Sequence, residues 1–127
     1  MLLPILAVAL GAALGALARW GLTHWLSALS SNLSVGTLAS NLIGGYLVGI
    51  AVSYFAQHPG LAPEWRLFVV TGFLGGLTTF SSYSAEVVDM MLRGQFGWAL
   101  STAASHLFGS FFMTAFGIYT VLFFYRR

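Results

Sequence analysis

Four long stretches of this chain carry no formal charge, and that feature decides most of what it can fold into. Crossing a bilayer takes about 20 mostly apolar residues per helix, and only helices or closed barrels satisfy the backbone in hydrocarbon. The first stretch runs from Leu2 to Ala18 and ends at Arg19. The second covers Val35 to Ala56, and the third starts near Trp65 with no charge between Arg66 and Glu86. The last, Phe96 to Tyr125, is long enough to span with tilt. Thr23–Ser34, Gln57–Glu64 with two prolines, and the tight turn Arg93-Gly94-Gln95 are the expected connections. Four spans use most of 127 residues and leave no room for a separate soluble domain. The expectation is an all-α, multi-pass membrane protein whose residues 1–127 form a single four-helix transmembrane domain.

Composition agrees. The chain is 58% hydrophobic and 6% charged, with five Arg, no Lys, two Glu and one Asp. A soluble domain carries roughly 25% charged residues, so eight charges exclude a freely soluble monomer. They also exclude a nucleic-acid partner, which needs a clustered basic face. With no Cys, disulfides, thiolate metal sites and a Cys nucleophile are impossible. Ala16-Leu17-Ala18 has the pattern of a signal-peptidase site, but no basic residue precedes the apolar run, so it reads as a retained first helix.

With four spans, the N-terminus, second loop and C-terminus share a side that holds Arg66, Arg126 and Arg127; the other side holds Arg19 and Arg93. Three against two is almost no bias under the positive-inside rule. Two readings stay open: insertion in both orientations with pairing of opposite copies, or a fixed orientation set by Arg126-Arg127.

Small residues at four-residue spacing mark close helix contacts in lipid. Gly11/Gly15, Gly45/Gly49 and Gly72/Gly76 are such pairs. The third span is more distinctive: Gly75-Gly76-Leu77-Thr78-Thr79-Phe80-Ser81-Ser82-Tyr83-Ser84 puts two glycines and five Ser or Thr residues near mid-membrane. Non-helical backbone survives at that depth only when buried in protein or lining a cavity. An interrupted helix serving an ion or substrate is the favoured reading, against a kink with Ser and Thr bonding back to the backbone. Asn41 is expected on a close-contact face four residues before Gly45. Thr102, His106, Ser110 and Thr114 recur every fourth residue as a polar stripe, either interhelical glue worth about 0.6 kcal/mol per contact or one wall of a polar track. Such a lining, rich in donors and poor in charge, suits a small, hard, strongly hydrated anion. Glu86 lies about 10 Å of helix inside the Arg93 turn, Asp89 and Arg93 are spaced to pair, and Arg19 either snorkels or draws anions into an aqueous vestibule. No paired His ligands and no Ser-His-Asp spacing argue for an enzyme.

These residues carry a resemblance. Gly11-x3-Gly15-Ala16-x2-Arg19-Trp20, Gly36-Thr37-Leu38-x2-Asn41 and Gly72-x2-Gly75-Gly76-Leu77-Thr78-Thr79-Phe80-Ser81 resemble the Fluc (CrcB) fluoride channels, bacterial single-chain dual-topology type, along nearly the whole chain. The third motif is the specific one. The resemblance implies a passive fluoride exporter of the cell inner membrane, built as an antiparallel dual-topology homodimer with the third helix broken near mid-membrane. It also implies two fluoride pathways along the interface. A structural Na⁺ at the dimer centre is expected on the backbone carbonyls of Gly75 and Thr78. Phe80 and position 83 would form an aromatic box; Asn41, Ser81, Ser84, Thr114 and, less directly, Ser110 would supply polar groups; Arg19 and Glu86 would sit at the vestibules. Position 83, usually Phe in that family, is Tyr83 here. The expected partners are fluoride, sodium, membrane lipid and a second copy of the chain.

Two other functions are weighed. A proton-coupled small four-helix multidrug exporter needs a carboxylate deep in the first helix, and Leu2–Ala18 has none. A non-transporting membrane adaptor would need only the helix-packing motifs.

Overall fold

The computed structural model describes residues 1–29 and 34–127. Its elements, in order, are α1 (Leu2–Leu26), a 3₁₀ turn (Ser27–Leu29), α2 (Val35–Gln57), α3 (Pro63–Arg66), a π-helical segment (Leu67–Leu74), α4 (Gly75–Leu77), α5 (Ser81–Leu92) and α6 (Phe96–Tyr125). The described residues are helical apart from short connections. Three uninterrupted stretches, Leu2–Leu29, Val35–Gln57 and Phe96–Tyr125, are long and apolar enough to cross a membrane.

The first helix is longer than its charge pattern suggests. Helical structure continues through Arg19 to Leu26, so the expected connection at Thr23 begins later. No proline or charge run stops the helix after Arg19. Trp20 stacks on His24 one turn on, at 5.7 Å between ring centroids. The Ser27 hydroxyl then donates to the His24 carbonyl at 2.8 Å and closes the last turn. Part of the expected Thr23–Ser34 connection lies outside the described residues. At the start of α2, the Ser34 hydroxyl accepts from the Thr37 N–H as an N-cap. The turn between α5 and α6 uses Gly94 at φ +74°, the conformation glycine adopts without a Cβ penalty.

Packing follows the small residues. A Cβ on Gly11 or Gly15 would collide with backbone of Phe68–Leu77, and one on Gly72 or Gly76 would collide with backbone of Val8–Ala16. So α1 and the Leu67–Leu77 segment lie backbone to backbone, and Gly49 and Gly117 do the same for α2 and α6. Lipid tails are as apolar as leucine side chains, so such close approach, with its dispersion contacts, replaces the hydrophobic effect as the association force.

The chain changes neighbours between α4 and α5. Residues 63–77 pack chiefly on α1, whereas α5 packs on α6. Between them Thr78-Thr79-Phe80 is non-helical, and Thr78 is extended at φ −87°, ψ 153°. The π-helical stretch just before includes Val69-Val70-Thr71, a β-branched run with weakened α preference.

Candidate functional site

The three non-helical residues have side-chain partners where a helix would have backbone ones. In a continuing helix the Thr79 N–H would bond the Gly75 carbonyl, and the Ser82 N–H would bond the Thr78 carbonyl. Instead Thr79 N–H donates to Asn41 Oδ1 at 2.7 Å, and Ser82 N–H donates to the Thr79 hydroxyl oxygen at 3.1 Å. The carbonyls of Gly75 and Thr78 are thereby released from their helical donors. Buried or lipid-facing backbone groups need partners, and carbonyl oxygens are suitable ligands for a hard cation. Gly75 is exposed on this single chain. The donor set therefore fits the sodium ion the sequence resemblance implies.

Asn41, nearly buried on α2, does the clamping. Its Nδ2 donates to the Thr79 carbonyl at 2.9 Å while its Oδ1 accepts from the same residue's N–H, a paired contact of the kind two peptide groups make. The remaining Nδ2 hydrogen goes to His106 Nδ1 on α6, also at 2.9 Å. Beside Asn41, the Thr78 methyl sits where a Cβ on Gly44 would be, so Gly44 allows the non-helical residues to reach α2.

Around this clamp lies an open cleft of about 410 Å³. Its walls include Asn41, Phe80, Tyr83, His106, Ser110 and Thr114. Phe80 is 75% exposed, and its ring meets Tyr83 edge to face at 5.2 Å between centroids. Tyr83 in turn stacks on the His106 imidazole at 4.5 Å. Thr114 donates its hydroxyl to the Gly45 carbonyl at 3.0 Å, which turns it toward α2.

Of the residues expected from sequence, the fold brings Asn41, Phe80, Tyr83, Ser110 and Thr114 together around this cleft, with Thr78 at its edge. Ser81 and Ser84 do not line it; Ser81 is exposed beside the Thr79 hydroxyl, at 3.3 Å. Arg19 stands within α1, two turns short of its end, and donates from Nε to the Gly76 carbonyl at 3.1 Å. That bond ties α1 to the residue following Gly75. Glu86 accepts from the Thr37 hydroxyl at 2.9 Å, and Thr37 also contacts Ser34 at 2.8 Å. The Asp89–Arg93 pair forms at 2.7 Å on an exposed face, where such a pair contributes little.

Two residues of the site escape a residue-by-residue reading. His106 was visible only as one member of the α6 stripe, and Thr37 only as part of a motif. The stripe itself divides: Thr102 turns away to donate to the Met90 sulfur at 3.5 Å, whereas His106, Ser110 and Thr114 face the cleft.

Fold and cleft together define an α-helical membrane protein with an uncharged, largely apolar cleft that carries a few polar side chains beside an interruption in its helical bonding. Comparison with known proteins then names the group. The family model for CrcB-like protein, Camphor Resistance (CrcB), matches residues 6–118. The chain is 60% identical over 120 residues to the fluoride-specific ion channel FluC of Burkholderia pseudomallei (strain 668), covering 94% of each. It is 56% identical over 117 residues to the fluoride-specific ion channel FluC of Pseudomonas aeruginosa (strain UCBPP-PA14), covering 92% of each. The chain belongs to the CrcB-like family.

Proposed function

We propose that this protein is a fluoride-selective channel that lets cytoplasmic fluoride leave passively across the cell inner membrane. The observation that carries this reading is the uncharged cleft beside Phe80, apolar with a few polar side chains, in a chain whose relatives bear the name of fluoride-specific channels. Fluoride is strongly hydrated, so a selective path must replace water with donors. Ring edges carry positive charge, and hydroxyl protons donate, without a full opposing charge to trap the ion. Phe80, Tyr83 and Ser110 offer those groups on the cleft, Ser81 and Ser84 extend them along α5, and Thr114 joins them once its hydroxyl turns from the Gly45 carbonyl. Arg19 and Glu86 stand near the aqueous vestibules in this reading.

The working unit is an antiparallel homodimer with two such paths. The support is physical: Phe80, Ser81 and Gly75 are exposed on a single chain around non-helical backbone, and lipid cannot satisfy such backbone. A second copy covers it. In this reading Pro63–Leu92 forms the third of four spans, interrupted near mid-membrane at Thr78–Phe80. The carbonyls of Gly75 and Thr78 from both copies would hold a sodium ion between them. Such an ion would supply a fixed positive charge and oxygen coordination that braces the interrupted spans.

Flux from reconstituted liposomes tests the reading. Fluoride-loaded vesicles carrying the protein should empty into a fluoride electrode cell, and Phe80→Ile should stop release while the dimer still elutes intact. Wild-type protein that elutes as a folded dimer and releases no fluoride would overturn the proposal.

A further inference from the structure

The last three turns of α6 have two unlike faces. Gly117 and Val121 are buried, and a Cβ on Gly117 would collide with the backbone of Tyr46 and Ile50 on α2. Residues three, four and seven apart share a helix face, so Tyr119, Phe123, Arg126 and Arg127 lie together on the side turned away from α2. All four are exposed, Tyr119 at 71% and Phe123 at 55%. Tyr125 holds the other flank, where its hydroxyl meets His58 Nε2 at 3.1 Å and fastens the end of α6 to the end of α2. The Arg127 guanidinium lies over the Phe123 ring, with Cζ 4.7 Å from the centroid. Held by its flat face, a guanidinium keeps its N–H rim free for an anion. Among the described residues no carboxylate pairs with Arg126 or Arg127. The Asp89–Arg93 pair stands at the opposite end of α6, and Glu64 is on α3, which packs on α1 and the Leu67–Leu74 segment. A helix C-terminus supplies only about half a negative charge, so two guanidiniums leave positive charge uncompensated. A helix of 30 residues is about 45 Å long against a hydrocarbon core of about 30 Å, which brings this last turn to the headgroups.

We propose that this face of α6 is a binding site for an anionic phospholipid, with the phosphate on Arg126 and Arg127 and an acyl chain along Phe123 and Tyr119. The charge excess makes the choice of lipid. A zwitterionic headgroup brings its own cation, which the arginines repel, whereas phosphatidylglycerol brings only negative charge. Guanidiniums meet phosphate oxygens through paired N–H bonds, a geometry an ammonium cannot reproduce. The two rings add flat apolar contact at the depth where aromatic residues gather in membrane proteins. Each chain carries one such site, and in the antiparallel dimer proposed above one site faces each leaflet. The inference goes beyond the channel reading and does not depend on it.

Native mass spectrometry of the full-length protein, offered phosphatidylglycerol and phosphatidylcholine in equal amounts, tests the proposal. Wild-type protein should retain one phosphatidylglycerol per chain with a preference of about tenfold or more, as two arginines at a membrane surface imply. Arg126→Gln with Arg127→Gln should bring the two lipids to within about threefold of each other, and Arg66→Gln, which removes an arginine from the same end, should leave the preference unchanged. No preference in wild type, a preference that survives loss of both arginines, or an equal fall in Arg66→Gln overturns the proposal. Excess inorganic phosphate should not displace the lipid; displacement would mean that a phosphate ion occupies the arginines, and would overturn it too. Because the neutralised pair can fail to assemble, a second measurement uses wild-type protein alone. Phosphatidylglycerol with a photoreactive group on its acyl chain should cross-link to Tyr119 or Phe123, and cross-links confined to other helices overturn the site. Neither measurement reads ion flux, so failure of the lipid site leaves the channel reading standing, and absence of fluoride flux leaves the lipid counts unchanged.

Discussion

Asn41 stands in for a peptide group. It pairs with both backbone atoms of Thr79 and so replaces bonds that a continuous helix would have made internally. Asn41→Asp keeps the acceptor for Thr79 N–H, removes both donors and sets a carboxylate against the Thr79 carbonyl. Leaving those buried groups unpaired costs on the order of 1–3 kcal/mol each, so Asn41→Asp should lower the detergent melting temperature clearly and suppress flux. A melt superimposable on wild type would show that the clamp holds nothing. Tyr83 sits in the box by its ring, stacked on His106 and edge-on to Phe80. Removing only the hydroxyl in Tyr83→Phe should leave fluoride flux within about threefold of wild type, since the ring contacts, worth about 0.5–1.5 kcal/mol per aromatic pair, remain. A larger loss would place the hydroxyl itself on the path.

At the scale of elements, the glycines show what was legible in the sequence and what was not. Four-residue spacing announced the contact faces, and Gly11/Gly15 against Gly72/Gly76 and Gly49 against α6 are such faces. The pair Gly75-Gly76 also drew attention to the right region of the third span, yet helical structure persists through both glycines to Leu77. Gly76 is there for close approach to Ala12 and Ala16 on α1. What ends the helical bonding is a side chain from α2, 38 residues away in sequence, and no local pattern discloses such a partner. The same limit applies to Arg19 with Gly76 and Thr37 with Glu86, which are 57 and 49 residues apart. The charge at Arg19 does not stop α1, because a carbonyl of a neighbouring segment receives the side chain and the helix runs on past Thr23 to Leu26. The packing claim is testable by contrast. Gly49→Ala puts a methyl into the Thr114 carbonyl and should cost about 1–3 kcal/mol. Gly97→Ala, where no described atom lies within reach, should be neutral or stabilise by up to about 1 kcal/mol. Equal effects in thermal or steric-trap unfolding would contradict the close-packed geometry.

At the scale of the whole molecule, one chain leaves polar, non-helical backbone uncovered, and its arginines give almost no orientation signal. Antiparallel pairing answers both facts. Because the chain contains no Cys, Gly60→Cys in the loop after α2, where an added Cβ meets no described atom, introduces a single label site and keeps all five Arg, and membrane-impermeant maleimide applied to sealed vesicles should reach about half of the copies, as near-equal insertion implies. Complete labelling or complete protection would establish one orientation and remove the antiparallel dimer. Replacing sodium on both sides with N-methylglucamine should weaken dimer order and slow flux, because the Gly75 and Thr78 carbonyls would lose their common cation. Insensitivity to that exchange would argue that these carbonyls are satisfied by water or by the partner chain.

The scarcity of charge that first marked this sequence as a membrane protein also leaves the cleft with ring edges, hydroxyls and one imidazole as its polar lining. The central claim is that this lining passes fluoride and refuses larger, less hydrated halides. Liposomes loaded with fluoride and chloride together, followed with electrodes for both ions, test it most directly. The account predicts that fluoride empties while chloride stays inside over the same interval. Release of the two ions at comparable rates from protein that is folded and dimeric would contradict it.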